Sequence, residues 1–233
     1  MPLSCGGVEL EAVKLPLVTL IDALDTLAVL GDASEFVTAV GMVATFFKDG
    51  FDYDVDVSVF ETTIRILGGL LSAHLMASDA DLRLFPGYDD SLLDLAFDLG
   101  IRLLPAFATP TGIPYGTVNL RSGVPKGEST VSNLAGAGSL AIEFGALSIL
   151  THDARFGSAG RGAVKALHDR RSTSLGLLGK HVSSGGRSSG QTLLSIEEHN
   201  IERFLYSGPS WTASRRPSRR SSDVPETVSS RRS

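Results

Sequence analysis

Only one cysteine, Cys5, is present, so no intrachain disulfide can form and redox compartment leaves no trace in the sequence. Aromatic residues are scarce at 7% with a single tryptophan. No stretch approaches the roughly 18 consecutive apolar residues that a membrane span requires. The first residues, MPLSCGGVELEAVK, show no basic segment followed by an apolar one, so no signal peptide is legible there. A net positive charge is confined to the C-terminal end. Residues 207–233 hold six Arg against Asp223 and Glu226, whereas residues 1–206 hold 15 basic and 24 acidic residues, a net of −9. An acidic body argues against a nucleic-acid-binding surface on the folded part. What is present over 233 residues is 42% hydrophobic with a mean hydropathy of +0.14, enough to bury a core and too apolar for wholesale disorder.

Periodicity predicts helical hairpins. In LVTLIDALDTLAVL (17–30), Leu17, Leu20, Ile21, Leu24, Leu27 and Ala28 recur at i, i+3, i+4, i+7, with Gly31 placed to cap the C-terminus. A second helix over about 33–47 repeats the pattern with Phe36, Val37, Val40, Val43 and Phe47, started by Asp32 or Ser34. A second pair is expected at about 59–77 and 90–104, ending before Pro105, and a third at about 130–150 and 153–169. The three pairs share no sequence repeat, which excludes a solenoid. The connection 105–128 is too long for an idle link and is expected to serve a function. From Ser183 the chain turns Gly/Ser-rich, then weakly helical over 192–206, then Arg/Ser-rich. That last part cannot bury enough apolar surface to offset its ordering entropy and is expected to be disordered.

Chemistry concentrates between Phe51 and Met76. FDYDVDVSV alternates as a strand does, with Asp52, Asp54 and Asp56 on one side. A calcium-binding helix–loop–helix needs Gly at its sixth loop position and an acid at its twelfth. Val57 and Thr63 stand there, so that reading fails. On the following helix Glu61, Arg65, Gly68 and Ser72 share a face opposite Phe60, Ile64, Leu67 and Leu71. A charge pair among small residues on an apolar helix fits a cavity lining. It equally fits a capping box from Ser58 to Glu61 combined with an ordinary i, i+4 ion pair. Gly136, Ser139, Glu143 and Ala146 form a comparable small-residue face on the 130–150 helix. Two cavity-facing carboxylates on successive hairpins are the raw material of a glycosidase site. The five histidines do not cluster at metal-ligand spacings, and GAGSL (136–140) lacks the preceding strand a dinucleotide site needs.

LVTLIDALDTLAVLG, SVFETTIRILGGLLSAHL, LLPAFATPTGIPYGTVNL and IEFGALSILT, in that order, resemble glycoside hydrolase family 47, the class I α-1,2-mannosidases, and within it the ER degradation-enhancing α-mannosidase-like branch. The resemblance covers about residues 16–182, and MPLSC resembles the end of the family's N-terminal motif. It implies an all-α fold, here an incomplete α/α barrel of about three of seven hairpins. It further implies inverting removal of α-1,2-linked mannose from high-mannose N-glycans in the endoplasmic reticulum, with bound Ca²⁺. By that resemblance Glu61 is a catalytic carboxylate, proposed as general acid through a water, while Arg65 and Glu143 line the sugar site. The family's later motifs, with further catalytic carboxylates and the calcium-holding threonine, have no counterpart after Val182. The expected organisation is therefore a partial barrel domain over 1–182 and an unrelated tail over 183–233. Three functional readings follow: a mannosidase, a catalytically inactive lectin-like or interaction fragment, and a truncated product without function.

Overall fold

The computed structural model describes residues 13–171 and 177–185. Its elements, in chain order, are α1 (Val18–Asp22), α2 (Leu24–Val29), α3 (Ala33–Phe46), β1 (Asp56–Ser58), α4 (Val59–Thr62), a π-helical turn (Thr63–Leu67) and α5 (Gly68–Ser78). Then come α6 (Ser91–Leu103), a 3₁₀ turn (Leu104–Phe107), β2 (Thr117–Asn119), β3 (Val131–Asn133), α7 (Leu134–Gly138), α8 (Ala141–Thr151), α9 (Ala154–His168) and β4 (His181–Ser183). Helices dominate and the strands form two small two-stranded antiparallel sheets, β1 with β2 and β3 with β4.

The expected hairpins are present: α2 packs on α3, α5 on α6, and α8 on α9. Ile21, Leu24 and Ala28 of the first pair are buried, with Leu17, Leu20 and Leu27 packed against the same core. Phe36, Val40, Val43 and Phe47 come in from the second helix. Asp32 caps α3 by accepting from the Glu35 amide at 3.0 Å, an interaction worth about 1 kcal/mol. Gly31, at φ +79°, provides the left-handed turn between the two helices.

Three elements differ from the sequence pattern. The 17–30 helix is interrupted at Ala23, whose amide is shared between the Thr19 and Leu20 carbonyls. Only Asp56–Ser58 of the alternating segment pairs as a strand, although burial still alternates, with Phe51 and Val57 buried and Asp52, Asp54 and Asp56 exposed. The 130–150 segment divides into β3, α7 and α8. Val131–Asn133 is drawn into pairing with His181–Ser183, a partner some fifty residues away. Asn133 then starts α7 by accepting from the Gly136 amide at 2.6 Å, and the helix breaks between Gly138 and Ala141 after a glycine-rich, weakly helical sequence. Gly136 and Glu143 therefore do not share one helix face. The 182/183 boundary falls inside β4, and the tail expected from there lies outside the described residues beyond Gly185.

The 105–128 connection is built into the fold. It carries β2, which pairs with β1 in the register Asp56–Asn119, Val57–Val118, Ser58–Thr117. Asn119 Nδ2 donates to Asp54 and Asp56 at 3.0 and 2.9 Å. Arg121 and Arg102 both reach Asp52, and the Arg121 hydrogen bond holds that carboxyl below its ordinary pKa. Asp98 accepts from the Phe51 amide at 2.7 Å and from Arg102 Nε at 2.9 Å. The three aspartates of FDYDVDV are thus anchors for the strand that leads into α4.

Candidate active site

β1 delivers the chain into α4 with Ser58 at its end. Ser58 is extended (φ −66°, ψ 122°), and its Oγ accepts from the Glu61 amide at 3.3 Å. That is one half of a capping box. The other half does not form, because the Glu61 carboxylate turns along the helix instead, and its Oε2 accepts from Arg65 Nε at 2.8 Å. Arg65 Nη1 reaches Asp22 Oδ2 on α1 at 3.3 Å. Bonding to Glu61 pushes the guanidinium pKa up, as a charge-assisted hydrogen bond should. The Glu61 side chain is 28% exposed and that of Arg65 37%, so the pair is neither sealed in the core nor free in solvent.

Arg65 sits inside the π turn Thr63–Leu67. Such turns hold one extra residue and are common at functional sites. Around it Thr62 and Thr63 are fully buried, and their hydroxyls have no hydrogen-bond partner among the described residues. Beyond the turn the face continues through Gly68 and Ser72. A Cβ on Gly68 would lie 3.7 Å from Glu143 Cγ and 4.0 Å from Glu143 Oε1, so α8 reaches this helix at the gap glycine leaves. Glu143 Oε2 is buried with no hydrogen-bond partner among the described residues, and burial pushes the carboxyl pKa up. One turn further, Ser72 Oγ donates to Asp25 Oδ2 at 3.2 Å.

The sequence-predicted residues converge. Glu61 and Arg65 are in contact, and Glu143 meets the same helical rod at Gly68. Asp22 and Asp25 were not among the candidates. Their signal is two carboxylates at i, i+3 in a largely apolar segment with no oppositely charged residue within it. The face offers a fixed carboxylate, a guanidinium and an unsatisfied carboxyl within about two helical turns, a donor and acceptor set suited to a polyhydroxylated ligand. Among the described residues no three His, Cys, Asp or Glu side chains converge as metal ligands.

Known proteins resemble this chain in sequence and in fold. The sequence profile of Glycosyl hydrolase family 47 matches residues 1–201. Alpha-mannosidase I MNS4 of Arabidopsis thaliana is 51% identical over 184 residues, covering 78% of this chain and 28% of the relative. ER degradation-enhancing alpha-mannosidase-like protein 2 of Homo sapiens is 46% identical over 185 residues, covering 78% of this chain and 31% of the relative. Among solved structures, an alpha-1,2-mannosidase from Trichoderma reesei superposes with a TM-score of 0.66 at 31% identity, over 81% of this chain and 42% of that one. The chain spans less than a third of the length of these curated relatives, and its helical hairpins correspond to part of an α/α barrel. With its profile match, these relatives and a shared fold, this chain belongs to glycosyl hydrolase family 47.

Proposed function

We propose that this chain carries the Glu61 side of a mannosyl-oligosaccharide 1,2-α-mannosidase site, acting on high-mannose N-glycans of misfolded glycoproteins. The observation that carries the reading is the Glu61–Arg65 contact at 2.8 Å on the rod that an unsatisfied Glu143 meets at Gly68. Arg65 fixes the direction in which Glu61 presents its carboxylate, with Asp22 bracing the guanidinium from α1. A carboxylate so held orients the water that passes a proton to the departing glycosidic oxygen. Glu143 supplies an acceptor, or a donor when protonated, for a sugar hydroxyl, which would satisfy the oxygen that is orphaned in the free chain. Relatives named for ER degradation enhancement support the endoplasmic reticulum as the setting.

Inversion requires a second carboxylate about 6.5–9.5 Å from the acid, on the opposite face of the sugar, to activate water. In this reading the chain supplies the Glu61 side of that pair. The family's Ca²⁺ needs about six to eight oxygen ligands. The described residues do not fit that ion: no acidic cluster forms, and Asp22, Asp25 and Glu61 are already engaged with Arg65 or Ser72. No step in this reading runs through calcium.

A second reading, glycan binding without turnover, is favoured by Glu143, since an unsatisfied acceptor aids binding whether or not a bond is cleaved. Release of mannose from a high-mannose N-glycan separates the two. Turnover abolished by Glu61→Gln supports the hydrolase. Glycan binding that persists in Glu61→Gln without any turnover supports the lectin-like reading, and absence of both overturns each.

A further inference from the structure

A cavity of about 520 Å³ opens at the far end of α5, between its last turn and the loop 79–90. Ala77 in its wall lies sixteen residues beyond Glu61 along the α4–π–α5 rod. At 1.5 Å per residue the cavity is on the order of 24 Å from the Glu61–Arg65 pair. It belongs to a different surface from the site described above.

Its rim carries both signs of charge. Arg83 is exposed and its guanidinium has no hydrogen bond or ion pair among the described residues. Asp79 has Oδ1 fixed by the amides of Asp81 and Leu82 at 2.8 and 3.3 Å, and Oδ2 has no hydrogen bond among the described residues. Asp90 also lines the cavity, its side chain 66% exposed and Oδ1 3.8 Å from His74 Nδ1. Arg83 and Asp90 both hold positive φ, +51° and +62°, a conformation that is uncommon for residues other than glycine. The wall is apolar, with Phe85 and Tyr88 tilted at 48° and their ring centroids 5.4 Å apart. Tyr88 is rigidly seated: its hydroxyl accepts from the Leu92 amide at 3.0 Å and lies 3.1 Å from His74 Nδ1.

A cation or an anion entering this cavity meets a like charge on one side. A neutral ligand carrying adjacent hydroxyls does not, because one hydroxyl can accept from the guanidinium while its neighbour donates to a carboxylate. Aromatic rings suit the C–H face of such a ligand, and a concave apolar wall with few polar groups is the usual form of a small-molecule site. We propose that this cavity is a second carbohydrate-binding site, taking a neutral pyranose unit, with Arg83, Asp79 and Asp90 as polar contacts and Phe85 and Tyr88 as the stacking wall. It goes beyond the proposed function, since the cavity shares no residue with the Glu61 site.

The test is a ¹H–¹⁵N correlation titration of the full chain with methyl α-D-mannopyranoside at tens of millimolar, repeated with sodium sulfate. The expected result is saturable shifts within residues 79–90 that persist in Glu61→Gln and weaken at least about tenfold in Arg83→Gly, the size of losing a hydrogen bond to a charged group. Arg83→Gly removes the guanidinium and relieves the positive φ, so weakened binding cannot be charged to lost folding. No saturable shift with the mannoside overturns the proposal. So do shifts confined to the Glu61 face, or shifts in 79–90 produced by sulfate and not by the mannoside.

Discussion

Arg65 bridges two carboxylates that lie 39 residues apart in sequence: Nε donates to Glu61 Oε2 at 2.8 Å and Nη1 to Asp22 Oδ2 at 3.3 Å. The bridge ties the start of the α4–π–α5 rod to α1, and it orients Glu61 without burying it. Partly exposed ion pairs add little stability, so its value lies in geometry.

Arg65→Ala is accordingly expected to lower stability by no more than about 1 kcal/mol, or about 2–4 °C in Tm for a chain of this size. Affinity for an α-1,2-linked mannobiose should fall by about tenfold or more, since one charged hydrogen-bonding partner is lost and Glu61 is no longer held. Thermal melting alongside calorimetric titration checks both. A large drop in Tm with unchanged affinity would make Arg65 a structural residue.

Close approach of α5 to α1 gives a stability prediction with its own control. A Cβ on Gly69 would lie 2.7 Å from the Ile21 carbonyl oxygen and 3.0 Å from Ile21 Cγ2, and the first of these is backbone that cannot swing aside. Gly69→Ala should destabilise by about 2 kcal/mol. Gly41, on the exposed side of α3, has nothing within 4 Å of such a Cβ. Gly41→Ala should therefore stabilise by about 0.5–1 kcal/mol through helix propensity alone. Urea unfolding of both variants reads the contrast.

How far each feature could be read depends on how local its cause is. The apolar faces of α2 and α3, the Asp32 cap and the i, i+4 contact of Glu61 with Arg65 all follow from spacing along a single helix, and each is found. Asp22 and Asp25 were overlooked because their partners, Arg65 and Ser72, lie 43 and 47 residues away. Acids on a helix with no neighbour of opposite charge read simply as its solvent side. The π turn at Thr63–Leu67 has no proline or glycine within it to announce it. β3 was read as helix because its pairing with His181–Ser183 is a long-range event, and strand pairing of three residues leaves no period to detect. Glu143 was selected on the right helix for a face that does not exist as drawn. It reaches the Glu61 rod because α8 packs against α5, a relationship that side-chain spacing does not encode.

Glu143 gives a pH-dependent prediction. Burial raises its carboxyl pKa above the unfolded value of about 4.5, so the native chain binds the proton more tightly than the unfolded one. Stability is therefore fully present below about pH 4.5 and is lost as pH rises through the folded-state pKa. Glu143→Gln keeps the shape and removes the charge. It should raise Tm at pH 7 by about 2–4 °C, as relief of a half-buried, unpartnered charge implies, and the gain should vanish at pH 4. Melting curves at the two pH values decide it. An equal shift at both would mean that the charge is not the cause.

His74 carries the opposite dependence. It is 5% exposed, and burial lowers its pKa below 6.5 against the weaker pull of Asp90, whose Oδ1 lies 3.8 Å from Nδ1. The Tyr88 hydroxyl lies 3.1 Å from His74 Nδ1 and also accepts from the Leu92 amide. In the window between the depressed folded pKa and 6.5 the unfolded chain binds the extra proton and the native chain does not. Stability from this group is therefore complete above about pH 6.5, is lost as pH falls, and levels off below the folded pKa. NMR titration of the His74 ring should give a pKa below the ordinary histidine value of 6.5. Removing the hydroxyl with Tyr88→Phe takes away the Nδ1 hydrogen bond, which should destabilise the chain by about 1–2 kcal/mol at pH 8 and alter the loss seen on acidification to pH 5.5. An unshifted His74 pKa, or an acid response untouched by Tyr88→Phe, would place the sensitivity elsewhere.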